Sequence, residues 1–224
     1  MFVDIHTHLD NQSVIKIVDG DEIRILETVG VHPWELDCHP LFSDAFVKKG
    51  FLHSVSLRYT SVEMTKVIAI GEVGLDKVHK ESFEKQVEVF EEMIRLSESY
   101  KKPMIIHCVR AYSEIIEMRK KTKATMPWVI HGFNSSVETM RQMLKYDMYI
   151  SLGEVLYRNE NQAVEILKNV PLDRLFLETD VSGRDIKDVY SKVAFLMGYE
   201  MSFLCDKIFE NYVRLGATDA NINR

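Results

Sequence analysis

Short runs rich in Val and Ile alternate along this chain with longer amphipathic runs, and this alternation limits the possible folds more than any other feature. Candidate strands are Phe2–His6, Val14–Val18, Ile23–Val31, Val67–Val73, Pro103–Cys108, Trp128–His131, Met148–Leu152 and Arg174–Glu178. They are mostly continuous in apolarity, as strands covered on both faces of a parallel sheet tend to be. In Ser82–Tyr100 the residues Phe83, Val87, Phe90 and Ile94 fall at helical spacing and leave Glu84, Lys85, Glu88 and Glu91 outward. Ala111–Lys121, Val137–Leu144, Asn159–Leu167 and Ile186–Met197 follow the same pattern, and Ser202–Leu215 reads as a last helix stopped by Gly216.

Alternating β and α units imply a parallel sheet, and about eight strands imply an α/β fold of the (β/α)8 TIM-barrel type. The competing open, doubly wound sheet usually carries a glycine-rich phosphate turn after an early strand. The chain has neither GxGxxG nor a GxxxxGK motif followed by Ser or Thr. No repeat, low-complexity tract or Ser/Gly-rich linker interrupts it, so residues 1–224 read as a single domain. The first third fits less well. Too few residues separate His8 from Val14–Val18 for a parallel crossover of a dozen or more. Asp19-Gly20 lies between two apolar runs, which is a hairpin signal. The expectation is a barrel abbreviated in its first βα unit, with a hairpin or irregular strand at 13–26. The length of 224 residues, short of the roughly 250 usual for such barrels, agrees.

Composition narrows the functional classes. Hydrophobic content of 46% with 28% charged residues suits a globular protein, and no stretch approaches the ~20 apolar residues a membrane span needs. The N-terminal MFVDIHTHLD lacks the basic-then-apolar signature of a secretory signal. Cys38, Cys108 and Cys205 are odd in number and far apart, so they read as reduced thiols in a cytoplasmic protein. A net charge of −6 argues against coating nucleic acid with a basic face, but not against acting on nucleic-acid ends through a few local cations.

Six polar residues fall at the C-terminal ends of predicted strands: His6, His8, Glu72, His107, His131 and Asp180. In a (β/α)8 barrel those ends open onto one face, where active sites sit. Glu72, His107 and His131 follow one another at about one βα unit, and Asp180 comes about two units later. His6 and His8 share one side of an extended strand, because side chains alternate with period 2. Four imidazoles and two carboxylates form a mixed N/O set suited to Zn²⁺, Mn²⁺ or similar ions. Six ligands exceed what one catalytic zinc takes, but two ions bridged by a carboxylate would use them all, with Glu72 the natural bridge. Asp180 could serve as general base toward a shared water. His32, in Val31-His32-Pro33-Trp34, follows a strand and could face the same site. His39, His53 and His79 sit in polar surroundings and read as surface groups.

The chain resembles the TatD family of metal-dependent deoxyribonucleases, a branch of the amidohydrolase-like barrels. The likeness rests on Val3-Asp4-Ile5-His6-Thr7-His8-Leu9-Asp10, Val29-Gly30-Val31-His32-Pro33, Ile70-Gly71-Glu72-Val73-Gly74-Leu75-Asp76 and Pro103-Met104-Ile105-Ile106-His107. It continues through Ile130-His131-Gly132-Phe133, Tyr149-Ile150-Ser151-Leu152-Gly153, Pro171 to Asp180, and Glu210-Asn211-Tyr212-Val213-Arg214-Leu215-Gly216. The resemblance implies one ion at His6, His8, Glu72 and Asp180 and a second at Glu72, His107 and His131. It further implies hydrolysis of phosphodiester bonds, typically from DNA ends, with two divalent metal ions (Zn, Mg or Mn) as cofactors.

The chain departs from the family pattern around the substrate. After His107 the family often reads Ser-Arg-Asp-Ala, where this chain has Cys108-Val109-Arg110-Ala111; after Asp180 it often reads Ala-Pro, where Val181-Ser182-Gly183-Arg184 stands; and Lys77 replaces a frequent aromatic. His32, Arg110 and Arg184 are the candidate substrate-binding residues, with Lys77 a further cation and Phe133 a stacking platform or core residue. Three readings follow: a two-metal nuclease on DNA or oligonucleotide ends, a two-metal hydrolase of a small phosphate ester or amide, or a metal-binding interaction protein without turnover. An abbreviated barrel that leaves an edge open also allows a homo-oligomer.

Overall fold

The Val/Ile runs form eight strands in a computed structural model that describes residues 1–9, 12–30, 32–33, 67–79 and 83–216. They are β1 (Phe2–Leu9), β2 (Gln12–Asp19), β3 (Glu22–Val29), β4 (Ala69–Asp76), β5 (Met104–Val109), β6 (Trp128–Ile130), β7 (Met148–Leu152) and β8 (Leu175–Leu177). All eight belong to one sheet in chain order. A parallel bridge from Thr7 to Asp180 brings its two ends together, and Asp180 N donates to His6 O at 3.0 Å. The described helices are α1 (Phe83–Tyr100), α2 (Tyr112–Thr122), α3 (Val137–Leu144), α4 (Val155–Arg158), α5 (Glu160–Asn169), α6 (Ile186–Met197) and α7 (Met201–Leu215). The expected α/β barrel is therefore present, with most boundaries within two residues of those read from the sequence. Cys38, His39 and His53 lie outside the described residues.

The abbreviation at the N-terminus goes further than one missing helix. Leu9 pairs with Gln12 and Asp19 pairs with Glu22, so only two residues separate the paired ends in each case. Gly20 supplies the positive φ of +61° that the second turn needs. Two residues cannot carry a chain back across a sheet. β2 consequently runs antiparallel to both neighbours, whereas every pair from β3 to β8 is parallel. The start of β2, not its end, thus reaches the C-terminal face of the barrel. Among the described residues β3 pairs with β4 through Thr28–Ala69 and Val29–Ile70, and its earlier residues Ile23 and Ile25 are exposed.

The core lies inside the barrel and between barrel and helices. Ile5, Ile15, Ile17, Ile70, Trp128, Phe90 and Phe176 are fully buried. Tyr190 on α6 clamps the first strand, since its hydroxyl accepts from Val3 N at 3.1 Å and donates to Val3 O at 3.0 Å. Asn211 on α7 donates to Leu172 O and Leu175 O, tying the last helix to the start of β8. Among the described residues no helix is long and apolar enough to cross a membrane.

Candidate metal centre

Five strands deliver six candidate ligand side chains to one mouth of this barrel. His6 and His8 come from the second half of β1, His6 within a register shift between Asp4 and Thr7 and His8 just past it. Glu72 lies in β4 within a second register shift, between Ile70 and Val73. His107 lies near the end of β5, His131 follows β6 directly, and Asp180 comes three residues after the end of β8. Asp180 adopts φ +49° and is held there by its N–H bond to His6 O and by Thr7 Oγ1, which donates to its carbonyl at 3.3 Å.

The Glu72 carboxylate divides its two oxygens between two groups of imidazoles. Oε2 is 3.2 Å from His6 Nε2 and 3.3 Å from His8 Nε2. Oε1 is 2.7 Å from both His107 Nδ1 and His131 Nε2, and 3.3 Å from His32 Nε2. Asp180 Oδ1 closes the first group at 3.5 Å from His6 Nε2 and 3.6 Å from His8 Nε2. Donor atoms of His6–His8–Asp180, of His6–Glu72–His131 and of His32–Glu72–His107 lie within 4.8 Å of one another, as shared ions would require. The structure therefore brings together all six residues expected as ligands and adds His32 to the set.

The electrostatics of the cluster favour a cation. Burial pushes Glu72 upward, but the charge of His131 and hydrogen bonds from His107, His131 and His32 hold its carboxyl far below the usual range. Asp180 is also raised by burial, yet the His6 imidazole 3.5 Å away and the charge of His131 leave it below its ordinary value. Burial lowers His131, but Glu72 and Glu178 more than compensate and hold it well above the ordinary imidazole value. The carboxylates thus draw positive charge to the point where the donors converge. His6 Nε2 is buried there without a hydrogen-bond partner, which a metal ion would satisfy.

Behind the ligand atoms stands a set of supporting groups. His107 turns Nδ1 to Glu72 and leaves Nε2 3.4 Å from Asp76 Oδ2. Asp76 is itself gripped by Gln86, which accepts from Asp76 N at 2.7 Å and donates to Asp76 O. His131 Nδ1 faces Glu178 Oε1 at 3.7 Å, and that oxygen accepts from Gly132 N at 2.5 Å. His6 Nδ1 lies 3.2 Å from Ser13 Oγ. Such partners fix the orientation of an imidazole and raise its basicity as a ligand. Buried Asp4 accepts from Thr179 N at 2.9 Å and Thr179 Oγ1 at 2.7 Å, anchoring the residue before Asp180, and burial raises its carboxyl to about 6. Sequence reasoning assigned no role to Asp76, Glu178, Asp4 or Ser13. The first three were visible as acids within strands beside ligands; Ser13 carried no signal at all.

Glycines let the backbones close around Glu72. A Cβ on Gly30 would fall 2.4 Å from Glu72 O, and one on Gly74 would fall 2.0 Å from His107 O. The expected substrate cations are arranged differently from the ligands. Arg110 is exposed at φ +54° and makes no ion pair among the described residues. The Arg184 guanidinium lies over the Tyr157 ring at 3.8 Å, with Nε 3.7 Å from Glu154. Lys77 is paired with Glu114 at 2.5 Å. Phe133 is fully buried against Tyr112 and so belongs to the core.

Residues 1–215 match the family described as TatD related DNase. An uncharacterized metal-dependent hydrolase of Escherichia coli K12 (YcfH) is 32% identical over 171 residues, covering 69% of this chain and 64% of its own. The deoxyribonuclease Tat-D of Schizosaccharomyces pombe is 26% identical over 174 residues, covering 75% of this chain and 55% of its own. The chain spans about half to two thirds of the length of the curated relatives it matches. In fold it is similar to the crystal structure of YJJV, a TatD homolog from E. coli K12, with TM-score 0.72 at 22% identity, covering 87% of this chain and 77% of that one.

Proposed function

Because the chain belongs to the TatD related DNase family, we propose that it is a metal-dependent hydrolase of phosphodiester bonds, acting on the ends of DNA strands with two divalent ions. The observation that carries this reading is the Glu72 carboxylate, with one oxygen toward His6 and His8 and the other toward His107 and His131. His6, His8, Glu72 and Asp180 would hold one ion; Glu72, His107 and His131 would hold the other, with His32 in reach of it. Bound there, such ions acidify a water and neutralise charge on a phosphoryl group.

The chain's own residues supply the rest. Asp180, kept ionised by His6 and His131 and partly open to solvent, is the base that takes a proton from the attacking water. Glu72, more deeply buried, stays deprotonated and keeps the two imidazole groups in register. His32 and Arg110 would receive a non-reacting phosphate oxygen, and Arg184 would do so by leaving Tyr157 and Glu154. A net charge of −6 gives no broad basic track, so a strand would be gripped at its end only.

The pairing of Lys77 and Arg184 with acids favours a second reading, hydrolysis of a small phosphate ester or an amide. One experiment addresses both. Protein loaded with Mn²⁺, Mg²⁺ or Zn²⁺ is given end-labelled single-stranded DNA, the matching RNA, and a panel of aryl phosphates and amides. Mononucleotide release that Glu72→Ala abolishes is the expected result. Far faster turnover of a small ester moves the assignment to the second reading. Absence of all hydrolysis with every ion, with Glu72→Ala behaving identically, overturns both.

A further inference from the structure

Three histidines of the centre turn one ring nitrogen to Glu72 and the other to a supporting group, and the supporting groups differ in kind. His107 and His131 face carboxylates, Asp76 and Glu178. His6 faces a hydroxyl, Ser13 Oγ, at 3.2 Å. Ser13 reaches the mouth of the barrel only because β2 runs backwards, which puts its first residues opposite His8 and Leu9. It is held there by Thr28, whose Oγ1 donates to Ser13 O at 2.6 Å and lies 3.2 Å from Ser13 Oγ. His6 is fully buried, so its ring cannot turn to water for a substitute partner. Its Nε2 is within 3.5 Å of both Glu72 and Asp180 and has no hydrogen-bond partner.

We infer that Ser13 is a positioning residue for the metal centre: it accepts the Nδ1 proton of His6, fixing the tautomer that leaves Nε2 free to ligate. This rests on the metal-dependent reading above and deepens it, since it makes the reversed strand part of the site. Partners of this kind typically contribute 10–100-fold to metal affinity. The effect belongs to the ion shared by His6, His8 and Asp180, because Ser13 touches neither His107 nor His131 among the contacts of the described residues.

The test uses Zn²⁺ titration against a competing chelator, with ¹⁵N NMR of the His6 ring before metal is added. In the wild type His6 should show a single tautomer protonated at Nδ1. Ser13→Ala should lose that preference and weaken one class of Zn²⁺ site about 10–100-fold, leaving the other class nearly unchanged. Ser13→Thr, which keeps the hydroxyl, should restore both the tautomer and the affinity. Unaltered Zn²⁺ binding in Ser13→Ala overturns the inference, as does a loss that Ser13→Thr fails to restore or a loss spread over both classes. If wild type and Glu72→Ala bind Zn²⁺ equally poorly, the metal-dependent reading itself has failed.

Discussion

Gly30→Ala changes one hydrogen to a methyl on a residue that is no ligand, and it should disable the metal centre. The added Cβ would stand 2.4 Å from Glu72 O, 2.7 Å from Gly71 C and 2.9 Å from Glu72 N, where ordinary contact begins at 3.4 Å. All three atoms are backbone, so no rotamer change can relieve them. The end of β3 and the Glu72 peptide must therefore separate by about 1 Å, the difference between contact and clash. Glu72 Oε1 has 2.7 Å contacts to both His107 and His131. Ligand sets tolerate errors of about 0.2 Å, so a shift of that size cannot be absorbed. Overpacking should cost about 1–3 kcal/mol of stability, and misplacement by about 1 Å should cost about 100-fold in turnover. Zn²⁺ affinity by chelator competition, hydrolysis of labelled DNA and a urea melt would be compared for Gly30→Ala and Gly20→Ala. Gly20→Ala is the control: its Cβ meets nothing within 4 Å, but its φ of +61° makes it destabilising without approaching the site. If Gly30→Ala binds Zn²⁺ and turns over substrate within twofold of wild type, the close approach does not position Glu72 and the reasoning is refuted.

Further outcomes can be stated more briefly. Glu178→Gln keeps the shape but removes the charge facing His131, and should weaken Zn²⁺ binding about 10–100-fold in a chelator titration. Asp4→Asn tests a buried carboxyl raised from 3.8 to about 6. Its contribution to stability is present below about pH 4 and is lost as pH rises through about 6, an effect of about 3 kcal/mol. Urea midpoints of the variant should accordingly rise relative to wild type across that window, and parallel profiles would contradict the assignment. Tyr190→Phe loses both hydrogen bonds to Val3 and should destabilise by about 1–3 kcal/mol in denaturant melts, with Zn²⁺ affinity retained.

Strands and candidate ligands were legible in the sequence for the same reason: several Val/Ile runs carry a His or acid at or near their ends, so locating the strand also locates the candidate. Glu72, His107 and His131 illustrate this, one per βα unit. The hairpin at 13–26 was legible, but how far the abbreviation extends was not. The sequence shows too little chain for a crossover after His8, but counting crossovers needs the pairings Leu9–Gln12 and Asp19–Glu22, and these leave two units short, not one. Ser13 was hidden with it, because only a reversed strand turns an ordinary serine toward His6. The surroundings of the candidate substrate cations were not legible, because their partners come from other units. Lys77 follows β4 while Glu114 sits on α2 after the next strand, and Arg184 meets Tyr157 and Glu154 from the previous unit. A residue's place at the barrel mouth follows from its own segment, but whether its charge is free depends on neighbouring units.

The junction between the first and last strands bears on when the protein can acquire its metal. Thr7 and Asp180 meet across 173 residues of chain, and His6 and His8 stand on one side of that junction with Asp180 on the other. A ribosome delivers the two histidines almost at once and the aspartate only after β8. Until then His6, His8 and Glu72 form a site one residue short of complete. The His107–His131 end lacks this delay, since its members arrive within two successive strands. The ion between His6, His8 and Asp180 would therefore be the last to be captured, and its retention would mark a chain that has finished folding.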